Sequence, residues 1–99
     1  MRRIRTSEPA SDEFAEAVRW YEARRSALGA EFFDAVATTI SLIEASPEIG
    51  TTISTDGLTR RALVARFPYQ VVYRLRATEI VIAAIAHLKR RPEYRKNRS

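Results

Sequence analysis

The chain contains 99 residues, of which 45% are hydrophobic and 29% are charged, and its formal net charge is +5. This length accommodates one domain, and the composition is that of a globular protein rather than a disordered chain. There is no cysteine and only one histidine, His87, which excludes disulfides, thiolate nucleophiles and paired cysteine or histidine zinc sites. We therefore expect neither a metal nor a cofactor.

The positive charge is concentrated in the C-terminal half of the chain. Residues 1–50 carry six arginines against nine acids, whereas residues 51–99 carry eleven lysines and arginines against three acids. The last stretch, HLKRRPEYRKNRS from His87 to Ser99, holds six of these cations and one acid. We interpret residues 1–99 as a single domain in which residues 88–99 form a basic tail. Such a tail is a solvated end, a phosphate-binding arm or a segment that docks into a protein partner.

The sequence offers no candidate for a membrane-spanning segment. No apolar stretch follows Met1, and the longest apolar run, residues 80–86, is far shorter than the roughly 20 residues needed to cross a bilayer. We therefore expect a cytoplasmic protein.

Helical spacing of apolar residues dominates the first half. After an extended stretch at residues 2–6, Ser7 is suited to cap a helix that carries Pro9 in its first turn. We predict that this helix ends near Leu28 and Gly29, where glycine adopts the left-handed cap conformation. Trp20 and Tyr21 are expected to pack in the core. The apolar stripe consists of Phe14, Val18, Tyr21 and Leu28.

A second helix follows directly and should form an antiparallel hairpin with the first. Pro47 and Gly50 are expected to end it, and residues 50–57, rich in threonine and serine, are predicted to be a loop. Its apolar stripe consists of Phe33, Val36, Ile40 and Ile43.

Beyond this loop the period of the pattern changes to two, which predicts strands. Residues 79–86, EIVIAAIA, are apolar on both faces, as is typical of a central strand, and a loop of three or four residues around Ala77 and Thr78 precedes them. Residues 60–67 form an earlier strand, in which Leu63 and Phe67 share one face. Between the two lies the strand YQVVYRL, whose inward side chains are Tyr69, Val71, Tyr73 and Leu75.

The predicted architecture is α+β, in the order β-α-α-β-β-β, with a short N-terminal strand. The two-helix hairpin packs on one face of a mainly antiparallel sheet. The opposite face of the sheet is expected to carry Arg60, Arg66, Gln70, Arg74 and Arg76.

Four stretches resemble the RelE/ParE superfamily of bacterial type II toxins, and its ParE branch in particular. They are AVRWYEARRSALGAEFFDAV (17–36), IEASPEIG (43–50), TRRALVARFPYQVVYRL (59–75) and IAAIAHLKRRPEYRKNR (82–98). The resemblance extends from about Ser11 to Arg98 in the order and spacing of that family. Its most specific part is FPY-x-VVY followed by AIAH-x-x-R-x-P-x-Y. The fold that this resemblance implies is the one that periodicity predicts.

The resemblance implies a toxin that a cognate, ParD-like antitoxin holds inactive in a hetero-oligomer. For the ParE branch it further implies non-enzymatic inhibition of DNA gyrase and a role in plasmid stabilization. We expect the target to be contacted by the end of the last strand and the basic tail. The target-binding candidates are His87, Lys89, Arg90, Arg91, Tyr94 and Arg95.

Two alternatives stay open. The RelE branch implies a ribosome-dependent mRNA endoribonuclease, which needs a base, an acid and cations to stabilise charge on the phosphate. Gln70 and Leu88 stand where that branch has cations, which disfavours this hypothesis. The other alternative is an antitoxin-binding fold without remaining activity. Only weak, nonspecific nucleic-acid binding is expected of the toxin alone, because no helix-turn-helix or stacking platform accompanies the charge. The nuclease candidates are His87, Tyr94, Arg66 and Arg74.

Overall fold

In the computed structural model, which describes residues 2–89, two helices cover one face of a five-stranded sheet. The strand order is β1-β5-β4-β3-β2, with β1 parallel to β5 and the other neighbours antiparallel. This confirms the α+β class and the central position of β5. The elements are β1 (Arg3–Thr6), α1 (Glu8–Arg24), α2 (Leu28–Ala45), β2 (Thr51–Thr52), β3 (Thr59–Leu63), β4 (Tyr69–Leu75) and β5 (Glu79–His87).

One of the two predicted connecting segments differs from the structure. The short strand β2 lies inside residues 50–57, which were expected to be a loop, because Thr51 and Thr52 pair with β3. Three residues, 76–78, separate β4 from β5, as predicted. Neither α1 nor α2 is long and apolar enough to cross a membrane.

The start of α1 follows the prediction, but its end does not. The Ser7 side chain caps the helix by accepting a hydrogen bond from the Ala10 amide at 3.3 Å. The helix ends at Arg24, and Leu28 already belongs to α2. The Glu22 carboxylate accepts hydrogen bonds from the amides of Ala27 at 3.0 Å and Gly29 at 2.9 Å. A side chain of α1 therefore caps the N-terminus of α2. The capping residues that are usual within a helix do not predict this contact, because the acceptor belongs to the preceding helix.

Gly29 is required for close packing of the two helices rather than for a helix end. A Cβ atom at this position would lie 2.8 Å from the Val18 carbonyl oxygen, too close for any side chain. The left-handed residue of the connection is Ala27, with φ of 75°. The predicted C-cap at Gly29 is therefore wrong, because the glycine is conformationally ordinary and sterically essential.

The buried stripe of α2 begins one residue earlier than predicted. Phe32 is completely buried, whereas Phe33 is 50% exposed. Val36 and Ile43 are buried as expected, and Thr39, between them, satisfies its hydroxyl by donating to the Ala35 carbonyl at 3.0 Å. The observed stripe 32, 36, 39, 43 has spacings of 4, 3 and 4, and the predicted one has spacings of 3, 4 and 3; both are helical, so spacing alone does not separate them.

The helix-facing side of the sheet forms the core. Strand β4 alternates as predicted, with Val71 and Tyr73 buried on this side. A register shift in the β4–β5 pairing lets Ile82 and Ile85, three residues apart, both face the helices. At one end an aromatic cluster closes the core, with ring centroids 4.9 to 6.1 Å apart in its paired contacts. It contains Tyr21, Phe32, Phe67 and Tyr69.

Several of the faces predicted for residues 60–67 are wrong, although Phe67 packs against the core as predicted. Strand β3 ends at Leu63, which is 61% exposed, while Val64 is buried. Arg60 pairs with Tyr73 and so lies on the helix-facing side, where it donates to the carbonyls of Glu48 and Gly50. The alternation breaks because the chain turns after β3. Two further residues expected on the outer face lie elsewhere, since Arg66 is in the turn with φ of 70° and Arg76 follows β4.

The outer face keeps part of the predicted basic character. Gln70 and Arg74 lie there as expected, and Arg61 takes the place predicted for Arg60. The Arg61 guanidinium donates to the Gln70 side chain at 3.3 Å. Gln70 is nevertheless buried, which the half-buried alternation of β4 did not predict.

Candidate partner-binding groove

A groove of 560 Å³ runs between α1 on one side and the N-terminal end of β4 with the C-terminal end of β5 on the other. Strand β1 pairs with β5 only as far as Ile82, so beyond that residue the edge of β5 that faces away from β4 lies against α1. Its open edge is bonded to α1, because the Ile85 amide donates to the Glu13 carboxylate at 2.9 Å. The groove is lined by Glu13, Glu16, Ala17, Trp20, Tyr21, Pro68, Tyr69, Ile85, His87 and Lys89.

Trp20 forms an exposed aromatic wall of this groove. Its side chain is 51% exposed, although it was expected in the core. The Arg24 guanidinium lies 3.9 Å from the centroid of the indole ring, and Tyr21 meets that ring edge-on at 5.1 Å. These contacts hold the indole in place before any partner arrives. An ordered, exposed tryptophan in a groove is the kind of residue that anchors protein interfaces.

His87 lies at the end of the groove, on the helix-facing side of the sheet. It pairs with Tyr69 across β4 and β5, and the two rings meet edge-on with centroids 5.2 Å apart. The backbone amide of Lys89 donates a hydrogen bond to His87 Nδ1 at 3.0 Å. A neutral imidazole with Nδ1 as acceptor carries its proton on Nε2. Neither ring nitrogen of the neutral side chain then has a free lone pair.

The groove lies between two layers of opposite charge. Residues 8–45, the helical layer, carry eight acids and three arginines, a net charge of −5. The remaining described residues, 2–7 and 46–89, carry nine cations and three acids, a net charge of +6. The described part of the chain is therefore close to neutral in total but strongly polarised. Glu13 and Glu16 form the acidic wall of the groove, and Lys89 contributes the opposite charge.

The outer face of the sheet carries exposed ion pairs. Arg5 binds Glu79 at 3.2 Å, which raises the pKa of Arg5 and lowers that of Glu79. Arg74 binds Asp56 at 3.0 Å. The pKa of Asp56 is lowered to about 2. The hydrogen bond from the Ser54 hydroxyl is the largest cause, followed by the hydrogen bonds from the Leu58 amide and from Arg74. Among residues 2–89, no group of three or more acidic or histidine side chains is placed to hold a metal ion.

The predicted site residues separate into two groups. Of the target-binding candidates, His87 and Lys89 meet at the groove, while Arg90, Arg91, Tyr94 and Arg95 lie outside the described residues.

The nuclease candidates do not converge within the described residues. Arg74 points to the outer face, where it binds Asp56 and Thr59, whereas His87 lies on the helix-facing side. Arg66 is in the turn between β3 and β4, and Tyr94 again lies outside the described residues. The sheet therefore separates the proposed base from one of the proposed charge stabilisers.

Sequence reasoning missed the α1 side of the groove. Glu13, Glu16 and Trp20 recur at spacings of three and four, on a helix face adjacent to the buried stripe. That spacing was a signal in the sequence. The groove-facing side of α1 was not predicted because an aromatic residue beside the apolar stripe was assumed to pack in the core.

The family of the chain follows from comparison with known proteins. The family model described as "ParE toxin of type II toxin-antitoxin system, parDE" matches residues 4–92. This chain belongs to the ParE toxin family. It is therefore a ParE-type toxin of a type II toxin–antitoxin system, and membership of such a system implies an antitoxin partner.

The ParE fold is also seen in a solved structure. The chain is similar to one described as "Chromosomal ParDE TA system from P. aeruginosa", with a TM-score of 0.75 and 15% sequence identity. The similarity covers 88% of this chain and 96% of that chain. No curated protein matches the chain in sequence. The two helices on a mixed sheet are thus the ParE architecture.

Proposed function

We propose that this ParE-family toxin inhibits DNA gyrase through protein–protein contacts, and that a cognate ParD-like antitoxin neutralises it. The observation that carries the proposal is the family match over residues 4–92. The geometry of the described site supports an inhibitor more than a nuclease. The compartment that follows from such a target is the cytoplasm.

The state of His87 is the main argument against catalysis. A general base needs a lone pair within reach of the proton that it removes. In the folded turn, Nδ1 of His87 accepts a hydrogen bond from the Lys89 amide, so a substrate proton reaches it only if this turn opens, and Nε2 carries the proton of the neutral ring. Arg74, which would stabilise the phosphate, lies on the opposite face of the sheet. This arrangement favours a binding role for His87.

For the target side, we propose the end of β5 and the basic tail as the contact surface. His87 and Lys89 bring a ring and a cation to the end of the groove. The residues that follow in sequence add Arg90, Arg91, Tyr94 and Arg95. Cations around an aromatic anchor suit an acidic or DNA-bound protein surface, where they direct association and specificity.

For the antitoxin side, we propose the acidic helical layer. Its net charge of −5 and its exposed aromatic residues, Trp20 and Phe33, fit an antitoxin segment that carries both cationic and apolar side chains. Trp20 is the only tryptophan in the chain, so its fluorescence reports directly on this surface. Adding the antitoxin should change that emission with one-to-one saturation, and an unchanged emission at saturation would place the antitoxin elsewhere.

Labelling in living bacteria distinguishes the two target classes. Thymidine and amino-acid incorporation are followed during the first minutes after the toxin is induced alone. Loss of DNA synthesis before translation supports gyrase inhibition, and loss of translation first supports the nuclease alternative. No effect on either indicates a fold that binds an antitoxin without remaining activity.

A purified assay tests the target directly. Full-length toxin is incubated with gyrase, supercoiled plasmid and ATP, and linear DNA is measured after detergent and protease treatment. We expect linear DNA with the full chain and its loss on truncation after Leu88. The matched control is Arg19→Gln, which removes an exposed cation of α1 far from the tail in sequence. A truncated protein that remains fully active would refute the role of the tail.

A further inference from the structure

Three contacts fix the end of β5, and each involves described residues. The His87 and Tyr69 rings meet edge-on with an interplanar angle of 70°. The Leu88 amide donates to the Pro68 carbonyl at 2.8 Å, which extends the β4–β5 ladder by one bond. The next amide, that of Lys89, is directed to His87 Nδ1 at 3.0 Å. The backbone therefore leaves the line of the strand at Lys89, held there by the side chain two residues earlier.

This last contact resembles the turns in which a side-chain acceptor binds a backbone amide two residues on. Such a contact bends the backbone at that amide and so ends the strand. Here the acceptor is a ring nitrogen. Unlike the carbonyl of asparagine, that nitrogen gains a proton when the ring becomes charged.

Protonation of the ring is incompatible with the observed turn. In the charged imidazolium both nitrogens are donors, so Nδ1 would present an N–H group to the Lys89 N–H group. The hydrogen bond is then lost and replaced by a repulsive contact. The titratable groups that line the same groove are Glu13, Glu16 and Tyr21 from α1, Tyr69 from β4, and Lys89 itself.

We propose that His87 is a positioning residue that holds the turn at Leu88 and Lys89 while its ring is neutral, and releases this turn when the ring is protonated. Leu88 and Lys89 are the first two residues of the basic tail, residues 88–99, so His87 fixes the backbone where this tail begins. The consequence for toxicity rests on the proposed function. The turn itself does not, because it depends only on the chemistry of residues 87–89.

Two substitutions of His87 distinguish the effect of its hydrogen-bond acceptor from the effect of its ring packing. In His87→Asn the side-chain oxygen occupies the position of Nδ1 and accepts a hydrogen bond, but it does not titrate. In His87→Leu the side chain packs against Tyr69 but offers no acceptor. Melting temperature and the amide spectrum of β5 show whether each variant keeps the fold.

The first measurement is NMR on the ¹⁵N-labelled full chain between pH 8 and pH 5, the range in which imidazoles ordinarily change charge. At the upper end, long-range ¹H–¹⁵N spectra should show His87 protonated on Nε2. As the pH falls, hydrogen exchange at the Lys89 amide, corrected for its intrinsic rate, should accelerate by about 2- to 10-fold, as expected for the loss of one hydrogen bond. The Leu88 amide should change less.

The two variants show which property of His87 protects the Lys89 amide from hydrogen exchange. His87→Asn should keep the Lys89 amide protected at every pH, and His87→Leu should leave it unprotected at every pH. Equal protection in both variants, or a neutral ring protonated on Nδ1, would overturn the proposal. Rescue by asparagine alone would show that the acceptor, rather than ring packing, holds the turn.

A functional comparison follows with gyrase and plasmid. His87→Asn should produce more linear DNA than His87→Leu, because only the former holds the turn. If the gyrase proposal is wrong, even the wild-type toxin produces no linear DNA while the Lys89 results stand. If the turn proposal is wrong, the two variants agree at the Lys89 amide even where the wild-type toxin acts on gyrase.

Discussion

The two faces of the β-sheet contrast in how their polar groups are satisfied. On the helix-facing side the Tyr73 hydroxyl is buried, donates to the Pro47 carbonyl at 2.7 Å and accepts from the Gly50 amide at 2.9 Å. On the outer face, Arg5 and Arg74 meet carboxylates with side chains that remain substantially exposed. Both faces therefore supply polar partners, but the hydrogen bonds of Tyr73 are buried whereas the two ion pairs are exposed.

This difference predicts where stability resides. A buried donor or acceptor that loses its partner costs the full desolvation penalty, whereas exposed ion pairs are screened and contribute little. Burial of apolar area on the helix-facing side adds the larger favourable contribution. The exposed ion pairs of the outer face should therefore tolerate substitution without loss of the fold.

The largest effect should come from Phe32→Ala on the buried side of α2. Phe32 is fully buried among aromatic rings, so the cavity left behind should lower the free energy of unfolding by about 3–5 kcal/mol. Urea denaturation followed by circular dichroism measures it. The matched control is Phe33→Ala, one residue away and 50% exposed, whose ring contacts Phe14. Its cost should stay near 1 kcal/mol, and equal costs would contradict the burial contrast.

Tyr73→Phe should have the next largest effect. It removes one hydroxyl but leaves the Gly50 amide and the Pro47 carbonyl without this partner, at a cost of about 1–3 kcal/mol. Burial, the largest cause, raises the pKa of Tyr73, so ionisation of the wild-type hydroxyl should occur only in more alkaline solution than for a free tyrosine. Denaturation and ultraviolet titration measure the two effects. A wild-type stability in the Tyr73→Phe protein would show that water replaces the hydroxyl.

A smaller effect is expected for Glu22→Ala at the helix junction. The carboxylate caps α2 through two amides, and loss of a cap of this kind costs about 1 kcal/mol. Glu16→Ala, an exposed glutamate on the same helix, serves as control and should change stability by less than about 0.5 kcal/mol. If the two variants were equally stable, the junction would be held by packing around Gly29 alone.

The smallest effect on stability belongs to Asp56 on the outer face. Its folded pKa of about 2 lies below the ordinary aspartate value, so its contribution is present above that ordinary value and is lost as the pH falls through about 2. Carboxyl chemical shifts in an NMR titration measure this pKa. Ser54→Ala should raise it more than Arg74→Gln, because the Ser54 hydroxyl is the largest single cause and glutamine keeps a side-chain donor for the carboxylate. The reverse order would assign the shift to the ion pair.

Several features were predictable because they depend on neighbouring residues alone. The Ser7 cap and Pro9 fit the geometry of a helix start wherever that helix is placed. The alternation Tyr69, Val71, Tyr73 identifies β4 because one side of the strand is more apolar than the other. The resemblance to ParE toxins rests on the same local patterns in the right order, and the family match confirms it.

The candidate groove was only partly predictable. His87 and Lys89 were singled out from the sequence, and both line it. Trp20 was assigned to the core, since an aromatic residue beside an apolar stripe usually packs inward. The α1 wall of the groove faces the part of β5 that β1 does not cover, and where β1 ends along β5 cannot be predicted from the pattern of α1.

The sequence by itself determined the order of the helices and of every strand except β2, their periodicities, the start of α1 and the family. The tertiary structure alone decided that Phe32 rather than Phe33 is buried, that Arg60 faces the helices, and that Glu22 caps the neighbouring helix. The physical reason is that periodicity defines a face of an element but not its rotation against the rest of the molecule. That rotation follows from contacts between residues distant in sequence, such as the close approach of Gly29 to Val18.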